Sequence, residues 1–163
     1  MTAVPPVIAV CGIKNSGKTT LLAGLIRFFT KKGLQIAVIK YDGHDFSCDI
    51  PGTDSYRLQQ AGAYGTAVYS ASRFFIHKKY QNPSWEELVP LFSEADLIFL
   101  EGGKNTPLPK IEVIRHDICV SPVSNPTGRF LIATDLAPEC FSEPAADLNK
   151  PDQVGERILD YLN

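Results

Sequence analysis

An α/β layer sandwich, with a mainly parallel central sheet flanked by helices, is predicted by three observations. Short, almost wholly apolar runs recur along the chain, as expected of strands buried on both faces. The first run passes through a glycine-bearing loop into an amphipathic helix. A second run comes directly after it, so that Val7 to Ile39 reads as a β-loop-α-β crossover unit.

Val7-Ile8-Ala9-Val10-Cys11 is the first strand. Lys18 to Lys32 carries Leu21, Leu22, Leu25, Ile26 and Phe29 at helical spacing, and Gly33 stops it in the usual C-terminal glycine position. Ile36 to Ile39 is the second strand. The polar stretch Tyr41 to Thr53 has no period, and long irregular connections are more often functional than idle. Ser55 to Ala61 reads as a short helix ended by Gly62, and Thr66 to Ser70 and Phe74 to His77 as short strands. Ser84 and Glu87 form a capping box, predicting a helix that carries Leu88, Val89, Leu91 and Phe92. Leu97 to Leu100, Ile111 to Ile114 and Phe130 to Ala133 are further strands, the last ending on Thr134-Asp135. Pro151 to Leu162 closes the chain as a helix with proline in its first turn. Pro144-Ala145-Ala146-Asp147 is a poor strand.

The 163 residues, 44% hydrophobic and 21% charged, suit a single domain over 1–163. A formal net charge of -2 gives no basic field for nucleic acid. Met1 to Pro6 lacks the marks of a signal peptide, and no apolar run approaches the roughly 20 residues that span a bilayer. Cys11, Cys48, Cys119 and Cys140 are scattered without a C-x-x-C pair, as expected of reduced thiols in the cytoplasm.

Gly12-Ile13-Lys14-Asn15-Ser16-Gly17-Lys18-Thr19 matches G-x-x-x-x-G-K-[ST] at every fixed position, between a buried strand and an amphipathic helix. This predicts a P-loop NTPase-type fold holding a nucleoside triphosphate with magnesium. Gly12 and Gly17 let the loop turn its N–H groups inward, together with those of Lys14, Asn15, Ser16 and Thr20 near the helix start. Lys18 sets a cation on the β- and γ-phosphates, and the Thr19 hydroxyl ligates magnesium. Glu101, closing the apolar run Leu97 to Leu100, stands where the acidic group near the metal is expected. The loop residues His44, Asp45, Asp49 and Asp54 suit sensing of the γ-phosphate and the metal's outer shell, with Asp54 nearest in role to Glu101. His44 with Cys48 as soft-metal ligands is the weaker alternative.

Two places compete for base recognition. Asn149-Lys150-Pro151-Asp152 spells N-K-x-D, a guanine-reading pattern, but comes after the poor strand 144–147; a helix cap at Asn149 and a first-turn Asp152 explain it adequately without a base. Thr134-Asp135 ends a better strand.

The P-loop, Val38-Ile39-Lys40 leading to His44-Asp45, the segment Asp49-x-Pro51-Gly52-x-Asp54-Ser55 with Arg57 and Ala61-Gly62-Ala63, and Leu97-Ile98-x-Leu100-Glu101-Gly102 with Lys104 shortly after it together resemble the molybdopterin-guanine dinucleotide biosynthesis adaptor (MobB) family. Two departures stand out. Tyr41, Asp42 and Gly43 precede His44 where the family usually has histidines directly after the lysine, and Gly103 replaces a bulkier residue. The resemblance implies GTP and Mg2+ as ligands, weak hydrolysis at best, and a homodimer, for which the Phe74 to His77 strand is a candidate contact. It implies service to a molybdopterin guanylyltransferase, with molybdopterin or a molybdoenzyme chaperone as further partners. Lys40, His44, Asp45, Arg57 and Lys104 are the substrate- or partner-facing candidates, and Lys18 and Glu101 the catalytic ones. The competing reading is a P-loop kinase or ATP-dependent ligase for a small anionic acceptor; no arginine-rich lid supports it, Arg57 being the nearest candidate for a finger. A metallochaperone GTPase ranks lower, with three histidines in the chain.

Overall fold

The computed structural model describes residues 4–44 and 46–163, which fall into two compact units, one within Met1–Tyr41 and Trp85–Asn163 and the other within Asp42–Ser84. Asp45 lies outside the described residues.

The larger unit contains β1 (Val7–Cys11), α1 (Lys18–Lys31), β2 (Ile36–Lys40), β5 (Leu97–Glu101), β6 (Lys110–Ile114), β7 (Arg129–Thr134), β8 (Ala145–Asp147) and α3 (Pro151–Leu162). Its sheet has the order β2-β5-β1-β6-β7-β8, and every neighbouring pair is parallel. The residues that alternate along β1, β5, β6 and β7 explain the apolar runs, because both faces are covered. On one face Val10, Phe99, Ile111, Val113 and Leu131 pack with Leu21, Leu25 and Phe29 of α1 and with Val154 and Ile158 of α3. On the other, Ala9, Ile39, Ile98 and Leu100 meet Val89, Trp85 and Leu88.

In register, Val10 and Lys40 flank Glu101, Cys11 lies beside Glu112, and Thr134 lies between Ile114 and Asp147. The carboxyl ends of the strands therefore converge on one edge of the sheet, the edge at which open α/β sheets bind ligands.

Two elements differ from expectation. The capping box does not start an α-helix: residues after it form turns and a 3-10 segment, Val89–Phe92, with Pro90 inside it. A proline there removes a backbone donor and clashes with the preceding turn, so the α-helix cannot propagate. The poor strand 144–147 does pair. Ile132, Ala133 and Thr134 of β7 align with Ala145, Ala146 and Asp147, making β8 the edge strand. A paired neighbour overrides its low propensity, and an edge tolerates the adjoining Pro144.

The smaller unit comprises α2 (Asp54–Gln60) and the antiparallel hairpin β3 (Gly65–Tyr69) with β4 (Phe74–Lys78). Thr53 caps α2 through its hydroxyl. The Asp49 carboxylate accepts from Thr53, Ser55 and Gln59 Nε2, the last at 2.6 Å, tying the preceding loop onto the helix. Val68, Tyr69, Phe74 and Ile76 are exposed on the hairpin. Among the described residues, no helix is long and apolar enough to cross a membrane.

Candidate functional site

The turn between β1 and α1 takes its shape from residues in the left-handed region: Gly12 (φ 137°), Asn15 (φ 66°) and Gly17 (φ 99°). Gly12 is also a steric necessity, since a Cβ there would lie 2.4 Å from the Val113 carbonyl oxygen of the neighbouring strand. Gly17 precedes α1 in αL conformation, with no side chain capping the helix. The first N–H groups of α1 thus face the loop's concavity, which suits phosphate oxygens.

Lys18 Nζ folds back over the loop and donates to the carbonyls of Ile13 (2.7 Å) and Gly12 (3.2 Å). Burial lowers the pKa of its ammonium group, and the Glu101 carboxylate acts in the opposite direction. Thr19 Oγ1 donates to Glu101 Oε1 at 2.7 Å, joining residues 82 positions apart. The structure thus brings together two residues that the sequence offers as candidates for holding the metal, with Glu101 buried at the end of β5. After it, Gly102 and Gly103 both take positive φ, and a Cβ on Gly103 would lie 2.9 Å from Leu100 Cδ2. A glycine at this departure from the family pattern therefore fits the turn it makes. Ser16 Oγ is buried with no hydrogen-bond partner among the described residues. A buried, unpaired hydroxyl in the loop before a helix N-terminus, beside a lysine and a threonine–glutamate pair, fits a phosphate group with its metal.

Two adjoining hollows extend from this loop along the ends of β6, β7 and β8. One, of ≈ 170 Å³, is bordered by Gly17, Thr20, Arg115 and Asn149. The other, of ≈ 270 Å³, is bordered by Thr134, Asp135, Asp147 and Asn149. Asn149 borders both. Of the two sequence candidates for base recognition, Thr134-Asp135 and the Asn149 of N-K-x-D thus border one hollow. Lys150, not Asn149, is the residue before α3, and it pairs with Asp147 at 3.7 Å. Asp152 is exposed in the first turn of α3 and does not border either hollow.

Asp135 Oδ1 accepts the His116 backbone N–H at 2.8 Å, and Oδ2 lies 3.6 Å from Arg115 Nη1. Arg115 Nε also donates to the Ser16 carbonyl at 3.3 Å. Sequence reading missed Arg115, although it stands directly after the run Ile111 to Ile114, the same strand-end logic that singles out Glu101 and Asp135.

The remaining sequence candidates divide between the two units. Lys14, Lys40 and Lys104 are exposed in the larger unit, Lys40 directly beside Glu101 in the sheet register. His44, Asp54 and Arg57 belong to the smaller unit; His44 is exposed, and Asp54 and Arg57 face each other at 3.7 Å on α2.

Known proteins share both this fold and this sequence pattern. The family model described as molybdopterin guanine dinucleotide synthesis protein B matches residues 7–135. A molybdopterin-guanine dinucleotide biosynthesis adapter protein of Escherichia coli is 31% identical over 165 residues, spanning 96% of this chain and 93% of the relative. One from Haemophilus influenzae is 29% identical, spanning 97% and 90%. In fold, the chain superposes on Bacillus subtilis MobB with a TM-score of 0.75 at 24% identity, covering 95% of this chain and 96% of that one. The chain belongs to the molybdopterin guanine dinucleotide synthesis protein B (MobB) family.

Proposed function

We propose that this chain is a GTP-binding adaptor of molybdenum cofactor biosynthesis, assisting a guanylyltransferase that attaches GMP to molybdopterin. The observation that carries the nucleotide part is the Thr19–Glu101 contact of 2.7 Å beside Lys18 in a loop with a buried, unpaired Ser16 hydroxyl. Family membership and the names of the relatives carry the pathway part.

Residues 1–163 act as one nucleotide-binding domain in this reading. The loop amides from Gly12 to Thr20 and the Lys18 ammonium hold the phosphates. Lys18 must exchange the carbonyls of Gly12 and Ile13 for phosphate oxygens, acceptors that bear more charge. Thr19 would serve as a ligand to Mg2+, and Glu101 would accept from its shell. The metal neutralises charge on the β- and γ-phosphates when bound. Asp135 faces the base. Hydrolysis is slow because no arginine is assigned to the transferring phosphate, and that charge stabilisation accounts for much of fast turnover. Lys40, His44, Asp45, Arg57 and Lys104 serve the partner or its substrate. The protein works in the cytoplasm as a homodimer, supported by the exposed apolar residues Val68, Tyr69, Phe74 and Ile76 of the hairpin.

The test is a guanylyltransferase reaction with limiting molybdopterin, run with and without this protein and GTP. A rate or yield raised by the wild type and not by Lys18→Ala is expected. No effect of the wild type at saturating protein overturns the adaptor role.

A further inference from the structure

Arg115 touches both ends of the site, and none of the phosphate and metal roles above draws on it. Its Nε donates to the Ser16 carbonyl at 3.3 Å, and its Nη2 lies 3.2 Å from where a Gly17 Cβ would stand. Its Nη1 is 3.6 Å from Asp135 Oδ2. It borders the hollow next to Thr20 and Asn149, while Asp135 borders the adjoining one with Asn149. A cation beside the N-terminus of α1 opposes the helix dipole. Its place there is satisfied by the Ser16 carbonyl and by the Asp135 carboxylate, so loop and carboxylate are held by one rigid guanidinium fork.

We propose that Arg115 is a positioning residue that sets purine selectivity, holding the Asp135 carboxylate toward the hollow at the ends of β7 and β8. This rests on the proposed binding of a guanine nucleotide. Guanine presents two adjacent donors, N1–H and the 2-amino group, to which a carboxylate can offer both oxygens. Adenine presents an unprotonated N1, which a carboxylate cannot hydrogen-bond. Orientation of this one carboxylate therefore changes guanine affinity much more than adenine affinity. The His116 backbone N–H holds Oδ1 from one side by a hydrogen bond; the Arg115 charge attracts Oδ2 from the other across 3.6 Å. Without Arg115, Asp135 keeps one anchor and is free to rotate.

The test is calorimetric titration of GTP and ATP, each with Mg2+, into the wild type, Arg115→Ala, Arg115→Lys and Asp135→Ala, with thermal midpoints measured alongside. The wild type should prefer GTP. Arg115→Ala should reduce the GTP-over-ATP ratio about tenfold, the size of one good bidentate discrimination, while ATP affinity changes little. Arg115→Lys, which keeps the charge but not the fork, should restore part of the ratio. Adding Arg115→Ala to Asp135→Ala should lower the ratio no further. If Arg115→Ala does not fold, Arg115→Lys carries the test through its reduced ratio. A wild-type preference that folded Arg115 variants retain in full, or an equal loss for both nucleotides, overturns this inference alone. A wild type without GTP preference overturns the guanine reading beneath it.

Discussion

Replacement of Lys18 with alanine should weaken Mg-GTP binding by about 100-fold or more. The ammonium group makes charge-assisted contacts to phosphate oxygens, each contributing roughly 1.5–3 kcal/mol, and about 2.7 kcal/mol corresponds to 100-fold. The folded protein does not leave this lysine idle: burial already lowers its pKa, and it donates to the carbonyls of Gly12 and Ile13. Part of the cost of bringing a cation to the loop is therefore met before nucleotide arrives, which is preorganisation. Isothermal titration of the two proteins checks the result, with thermal unfolding as the control for fold. A variant that folds normally and binds within threefold of the wild type would show that the loop holds phosphate by its amides alone.

The second large effect concerns stability. Arg129→Ala should lower the unfolding free energy by about 3–5 kcal/mol, because it strands a buried carboxylate. Glu112 is 1% exposed on β6, inside the sheet. It accepts the Val123 N–H at 2.6 Å and the Ser124 hydroxyl at 2.5 Å, and Arg129 Nη1 lies 3.1 Å away. The same guanidinium reaches Glu143 through Nε at 2.7 Å. Nearby, Lys110 is fully buried and donates to the carbonyls of Thr106, Asn125 and Thr127. Together these groups tie the long connection from β6 to β7, the segment that begins with Arg115, against the sheet. Removing one partner leaves the buried Glu112 charge unpaired, whereas Glu112→Gln combined with Arg129→Met removes that pair, leaves only the less buried Glu143 without its arginine, and should be milder. Urea unfolding of the two variants distinguishes them; a loss below about 1 kcal/mol for Arg129→Ala would mean that Glu112 is satisfied by its loop donors alone.

The strands and helices of the larger unit were legible because each repeats a simple pattern. Val7–Cys11 and Leu97 to Leu100 are apolar on both faces, and α1 has its apolar residues at helical spacing. The Thr19–Glu101 meeting was legible too, since a motif fixes one partner and a strand end the other. What depends on a neighbour was not. Ala145–Asp147 has no strand character by itself and exists through pairing with β7. The Ser84 and Glu87 pattern signals a helix start, yet Pro90 keeps the segment from becoming an α-helix. Nothing in the sequence marks Lys110 and Glu112 as buried, because it does not reveal the carbonyls and the arginine that satisfy them inside the sheet. Arg115 was overlooked for a related reason. A single arginine after a strand looks like any surface cation until Ser16 and Asp135 are seen on either side of it.

The measurement that tests the central claim most directly is titration of the purified wild-type protein with GTP and with ATP, each with Mg2+. Saturable binding is predicted, with GTP favoured by about tenfold, or roughly 1.4 kcal/mol. Equal or tighter binding of ATP would contradict the guanine reading and point to a kinase or ligase, and binding of neither would contradict the nucleotide site itself.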